Sequence, residues 1–175
     1  MPLKEGLVQV YTGNGKGKTT AALGQALRAC GHGLRVLVIQ FMKGSPSYGE
    51  VMVAGAVPGL RIVQSGLPTF VKKYHPSEED LRLAAEGMDL ARKAIADGEV
   101  DMLVLDEINV AVDYGLVKLE DVVALLGKRP PLMEVILTGR YAPPELLEMA
   151  DLVTEMREVK HHYAAGKEAR EGIEF

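Results

Sequence analysis

Nearly continuous apolar runs alternate along this chain with segments of helical period. Residues 8–11, 35–40, 100–105 and 134–138 are runs of this kind. Strands buried on both faces read this way, so they predict a parallel sheet covered by helices. Residues 60–65 alternate like a more exposed strand, and residues 152–156 read as a last one. Between the strands, the spacing predicts a helix over 18–29, with Ala21, Ala22, Leu23, Ala26 and Leu27 on its buried face and Gly31 and Gly33 ending it. Ser77 opens a longer helix with Asp80 in the capping-box position. Leu81, Ala84, Ala85, Met88, Ala91, Ala94 and Ile95 mark its inner face, and Gly98 closes it. Residues 119–127 form a short helix, and Ala142-Pro143-Pro144 starts another. The expectation is an α/β fold, three layers α/β/α around a mostly parallel central sheet.

Composition narrows the class without changing this picture. A chain of 175 residues has the length of one domain. With 47% hydrophobic and 25% charged residues it is neither fibrous nor disordered. The net charge of −4 argues against broad nucleic-acid binding. Cys30, the single cysteine, has no internal disulfide partner and fits a reducing compartment; among Ala26, Leu27 and Ala29 it reads as a packed thiol. No run approaches the roughly 18 apolar residues of a membrane helix, and residues 1–6 lack the apolar stretch of a secretion signal. A soluble cytoplasmic protein is expected, with neither membrane nor nucleic acid as partner.

The chemistry concentrates in Val8-Gln9-Val10-Tyr11-Thr12-Gly13-Asn14-Gly15-Lys16-Gly17-Lys18-Thr19-Thr20. An apolar strand passes into a glycine-rich turn that ends in Gly-Lys-Thr-Thr ahead of a helix, which is the layout of a phosphate-binding loop. Glycines let the backbone curl with its N–H groups aimed at phosphate oxygens, reinforced by the positive end of the helix. Gly13, Asn14, Gly15, Lys16, Gly17, Lys18, Thr19 and Thr20 are the expected nucleotide contacts, with Lys18 as a point charge and the Thr19 hydroxyl as a ligand of Mg²⁺. One spacing departs from the usual motif: its first glycine stands at Gly13 rather than at Thr12.

A second signal is the apolar run ending in Asp106-Glu107. Phosphate-loop proteins bring such acids to Mg²⁺, so Asp106 is expected near Thr19, and Glu107 on metal, water or ribose. Lys43 and Glu50 lie in the loop leaving the second strand, where open α/β sheets place ligands; solvated loop charges are the alternative. Arg140 at a strand end is a phosphate or sugar contact, or a surface ion pair. Lys160-His161-His162 reads as a solvated turn, since no further ligands stand at zinc spacing. These motifs point to a RecA-like P-loop NTPase fold and to ATP. They leave open ATP hydrolysis, phosphoryl transfer with Glu107 as base, or another use of the nucleotide.

The order of the motifs goes further. Residues 12–22, Gly31-His32-Gly33, Gln40-Phe41-Met42-Lys43-Gly44, Gly49-Glu50, Val104-Leu105-Asp106-Glu107, Thr138-Gly139-Arg140, Ala150-Asp151, Val159-Lys160-His161, Ala165-Gly166 and Gly172-Ile173 run across nearly the whole chain. Together they resemble the signature of the ATP:corrinoid adenosyltransferases of cobalamin synthesis and salvage. The resemblance implies transfer of the 5′-deoxyadenosyl group of ATP to Co(I) of a corrinoid, cobalamin or cobyrinic acid diamide, with release of triphosphate. The reduced cobalt is then the nucleophile. The protein has to stabilise the leaving triphosphate and align C5′, with Lys18 and Glu107 as catalytic candidates.

The same resemblance implies a triphosphate lying in the loop in a reversed sense, which Gly13 in place of a glycine at position 12 would accommodate. It also implies a flavin-dependent reductase or flavodoxin-type electron donor, and a homodimer. Family members displace the cobalt's lower ligand with aromatic side chains in a loop similar to Gly-Phe-Thr-Trp. This chain has Gly66-Leu67-Pro68-Thr69-Phe70 and no tryptophan, so Leu67 and Phe70 are the corrinoid candidates, with Phe70 as plain core the alternative. Longer members carry an N-terminal extension over the site. Few residues precede the first strand here, so looser corrinoid coverage, or completion by a second subunit, is expected. A small-molecule kinase, a simple P-loop ATPase and a nucleotide-gated corrinoid carrier are the alternatives.

Overall fold

The computed structural model describes residues 3–175. Six strands form one sheet: β1 (Val8–Thr12), β2 (Val36–Phe41), β3 (Leu60–Ser65), β4 (Met102–Asp106), β5 (Glu134–Thr138) and β6 (Leu152–Glu155). Their order is β3-β2-β4-β5-β1-β6, and every pairing is parallel, where the sequence predicts a mostly parallel sheet. Among the described residues six α-helices connect or flank them, α1 (Lys18–Gly31), α2 (Gly49–Ala54), α3 (Glu78–Asp97), α4 (Ile108–Asp113), α5 (Leu119–Gly127) and α6 (Pro144–Met149), and a 3₁₀ turn at His162–Ala165 follows the last strand. None of the described helices is long and apolar enough to cross a membrane.

The pleat sorts the core into two layers. Tyr11, Val36, Val38, Met102, Val104 and Ile136 meet the small face of α1, formed by Ala22, Ala26 and Ala29. Val8, Val10, Leu37, Ile39, Phe41, Leu103, Leu105, Val135 and Leu137 meet residues of α3, α4, α5 and α6 on the opposite side. β2, β4 and β5 are buried at every position, which is why they read as unbroken apolar runs. β6, an edge strand, is exposed at all four.

Local chemistry sets the helix ends. α1 runs two residues beyond its predicted end and stops in a glycine cap. The Leu34 N–H donates to the Ala29 carbonyl and the Gly33 N–H to the Cys30 carbonyl, with Gly33 left-handed at φ 78°. α3 starts with the predicted capping box between Ser77 and Asp80 and ends at left-handed Gly98. Its inner face comprises Ala84, Gly87, Met88, Ala91, Ala94 and Ile95; Leu81 and Ala85 lie outside it, in exposed positions. Gly87 lets α3 approach the sheet, because a β-carbon there would overlap the Ser65 hydroxyl.

Candidate functional site

The phosphate loop closes the carboxyl end of β1 and leans on the backbone that follows β6. Gly15 donates its N–H to the Met156 carbonyl (2.7 Å), and the Met156 N–H donates to the Thr12 carbonyl (2.8 Å). Gly13, at φ 92°, has no room for a β-carbon against the Met156 carbonyl, and one on Gly15 would come within 2.8 Å of the Arg157 backbone. The shifted glycine therefore has a structural reason: the strand on the far side of β1 crowds position 13. The Gly15 N–H, expected among the phosphate donors, is committed to Met156. Gly17 holds φ 123° and hands the chain to α1. Lys18, buried at the helix start, donates from Nζ to the carbonyls of Gly13 (2.7 Å) and Gly15 (2.8 Å). Its pKa is lowered, chiefly by loss of solvent, although the Glu107 carboxylate pulls the other way.

Asp106 is the hub of the opposite wall. β5 lies between β4 and β1 in the sheet, and Thr138 at its end bridges the gap. Oδ1 of Asp106 accepts from the hydroxyls of Thr138 (2.7 Å) and Thr19 (2.8 Å); Oδ2 accepts from Lys43 Nζ (2.7 Å) and Gln40 Nε2 (3.3 Å). The Asp106 side chain is 1% exposed and that of Lys43 17%, so this ion pair is shielded from solvent. Burial alone would lower the Lys43 pKa, but the Asp106 carboxylate, joined by Glu107 and Glu50, outweighs it and the pKa is raised. Gln40 also donates to Glu50 Oε1 (2.9 Å), which joins Glu50 to the hub.

Glu107 stands beside it in a left-handed conformation, φ 62°, that non-glycine residues seldom adopt. Its N–H donates to the Thr138 hydroxyl (2.9 Å). Loss of solvent, then the charge of Asp106, raises its pKa against the opposing pull of Lys43, Lys18 and Arg140. Asn109, in the first turn of α4, donates to the Gly139 carbonyl (3.2 Å) and so holds the turn that carries Arg140.

A cavity of about 850 Å³ opens over these residues. Gly15 to Thr20, Lys43, Glu50, Glu107 and Arg140 line its polar end; Leu23, Leu27, Val53, Val57, Leu60 and Ile62 line an apolar end. Asn14 is exposed outside it, and Leu67 and Phe70 do not line it. Phe70 is fully exposed, so it is not core. Its loop does reach the site's edge, because Gly44 and Gly66 pack backbone to backbone beside Lys43 with no space for a β-carbon.

Leu27, predicted on the buried face of α1, is 58% exposed and faces the cavity. His161, read from sequence as part of a solvated turn, lines the cavity too, and Lys16 Nζ donates to the Ile173 carbonyl (3.2 Å). The structuring roles of Gln40 and Thr138 were not among the predicted site residues. Their polarity at the end of otherwise apolar strands was the available signal.

Known proteins resemble this chain along nearly its whole length. A corrinoid adenosyltransferase of Pseudomonas aeruginosa is 38% identical over 98% of this chain and 85% of its own length. One from Escherichia coli K12 is 41% identical over 98% and 87%. A KaiC-like protein of Pyrococcus horikoshii superposes with a TM-score of 0.54 at 15% identity, covering 89% of this chain and 74% of its own, which is a likeness of fold. Residues 4–175 match the family described as ATP:corrinoid adenosyltransferase BtuR/CobO/CobP, and the chain belongs to that family.

Proposed function

We propose that the cavity holds ATP with its triphosphate in the phosphate loop and its ribose toward Glu107 and Arg140, while the corrinoid closes over the ribose from the side of the loops at 42–49 and 66–76. Transfer of the adenosyl group from ATP to a corrinoid is the reaction of the family and of this chain. The electron pair of Co(I) attacks C5′, a Co–C bond forms, and the C5′–O bond breaks, with triphosphate leaving on the bonding pair. The nucleophile carries no proton to remove, so the side chains are left to stabilise charge and set alignment. One observation carries the assignment of roles. Four cations, Lys16, Lys18, Lys43 and Arg140, line the polar end of one cavity, where charge would build on a leaving triphosphate.

Lys18 would turn from its two carbonyl contacts to the phosphates, and Lys43 would share itself between Asp106 and the triphosphate. Mg²⁺ suits the same corner, since Thr19 Oγ1, Asp106 and Glu107 offer hard oxygen donors and the crowded carboxylates favour a cation. When bound, the ion supplies charge neutralisation on the leaving group. Gln40, Thr138 and Thr19 keep Asp106 oriented meanwhile. Leu67 and Phe70 are assigned to the corrinoid's lower face. A homodimer of single-domain subunits, a cytoplasmic location and a flavin-dependent reductase or flavodoxin-type donor for cobalt follow from the family resemblance.

The test is anaerobic incubation with ATP, Mg²⁺ and chemically reduced cob(I)alamin. Triphosphate should appear in step with a light-sensitive alkylcobalamin spectrum, and Lys18→Ala should abolish both. ADP with an unchanged corrinoid spectrum would return the site to kinase or ATPase chemistry.

A further inference from the structure

The loop from 66 to 76 presents Phe70 to solvent, and its fixed point lies three residues further on. Lys73 Nζ is 2.6 Å from Asp113 Oδ2 and sits 5.1 Å, 5.5 Å and 5.2 Å from the ring centroids of Tyr74, Tyr114 and Tyr141. Rings at such distances attract an ammonium through their quadrupoles. Tyr74 and Tyr141 hold φ 64° and 60°, in the left-handed region that bulky side chains avoid. Strained backbone of this kind persists where the surroundings over-determine it.

The partners come from elements that matter to the reaction. Asp113 and Tyr114 close α4, the helix whose first turn follows Glu107; Tyr141 directly follows Arg140. One ammonium thus gathers the loop bearing Phe70 and the two segments leading from Glu107 and Arg140. At the other end of the loop, Gly66 is packed against the Met42–Lys43 backbone.

We infer that Lys73 is a positioning residue: held by Asp113 among three tyrosines, it docks the 66–76 loop onto the elements that carry Glu107 and Arg140, and thereby sets where Leu67 and Phe70 meet the corrinoid. This rests on the corrinoid reading of the loop given above. Global stability is not its main role, since solvent-accessible ion pairs contribute little to folding and the Lys73 side chain is one-third exposed.

The experiment compares wild type, Lys73→Met, Lys73→Arg and, as a neighbouring exposed control, Lys72→Met, all as the full chain. Anaerobic kinetics give KM for ATP and for cob(I)alamin separately. Chymotrypsin cleavage after Phe70, without any corrinoid, reports the docking of the loop directly. In Lys73→Met the corrinoid KM should rise about tenfold, within the range that ångström-scale misplacement produces. ATP KM and thermal midpoint should stay at wild-type values, and cleavage after Phe70 should accelerate. Lys73→Arg should recover most of both, and Lys72→Met should resemble wild type.

An unchanged corrinoid KM and unchanged cleavage in Lys73→Met overturn the inference; so does a parallel rise in both KM values, which marks a general structural role. Absence of corrinoid turnover in the wild type overturns the underlying functional reading instead, and the cleavage comparison still decides the docking.

Discussion

Asp106→Asn is the substitution whose effect can be worked out furthest. Four donors converge on the carboxylate, and a carboxamide offers only one accepting oxygen. If that oxygen takes the Oδ1 position, the Thr19 and Thr138 hydroxyls keep their acceptor. The new NH₂ then faces the Lys43 ammonium and the Gln40 amide, donor against donor. Gln40 cannot simply turn over, because its Nε2 is bonded to Glu50 and its Oε1 accepts from Gln64.

The lost charge-assisted bond to Lys43 is worth about 1.5–3 kcal/mol. The donor contact adds to that, so a total of about 2–4 kcal/mol is expected, against roughly 5–15 kcal/mol for a whole domain. The variant should therefore fold. Its thermal midpoint should fall by about 4–16 °C, at roughly 2–4 °C per kcal/mol for a chain of this size. Triphosphate release should drop by about 100-fold or more, equivalent to roughly 2.7 kcal/mol of transition-state stabilisation.

Scanning calorimetry and the anaerobic assay measure the two effects. Lys43→Met combined with Asp106→Asn should cost less than the sum of the single changes, as contacting residues do. A wild-type midpoint, or strict additivity in that cycle, would show that Asp106 is not the hub described above.

Two further outcomes follow from the same contacts. Gly87→Ala gains about 1 kcal/mol of helix propensity but drives a β-carbon into the Ser65 hydroxyl, which is tied to the Leu83 carbonyl, and against Phe41. Overpacking costs about 1–3 kcal/mol, so a net loss of up to roughly 2 kcal/mol in urea unfolding is expected, and a more stable variant would contradict it. Glu107→Gln tests the raised carboxyl pKa. A folded-state pKa above the unfolded value gives stability that is complete below roughly pH 4.3 and is lost as pH rises through the folded pKa. The glutamine variant should accordingly exceed wild type at neutral pH and lose that advantage near pH 4; a gap in urea midpoint that does not change with pH would refute the assignment.

What could be read from the sequence was whatever burial imprints on a short pattern. β2, β4 and β5 are covered on both faces, so their residues are apolar without interruption, and the sheet could be drawn from them. The capping box of α3 was equally plain, because Ser77 and Asp80 satisfy one another locally. α2 and α4, at six residues each, are too short to display a helical period, and the sequence pattern assigned a helix to neither.

Periodicity also cannot tell a core from a cavity wall, which is why Leu27 was placed inside. In the site, the meeting of Thr19 with Asp106 was legible because strand ends in a parallel sheet share one rim. The commitment of the Gly15 N–H to Met156 was not, since it depends on which strand flanks β1.

That flank bears on how the protein is made. Of the strands in this sheet β1 leaves a ribosome before the others, yet its two neighbours, β5 and β6, follow all the rest. β2, β3 and β4 can pair with one another long before either arrives. The glycine-rich turn meanwhile has no floor: Met156 and Arg157, on which Gly13 and Gly15 rest, emerge almost a whole chain later. Such distant pairing is slow to form, because the loop entropy is lost before the contacts compensate for it. A nascent chain can therefore display every residue of the phosphate-binding motif and still have no place to put a phosphate. Nucleotide affinity is then expected to appear only when the sheet has accepted its final edge.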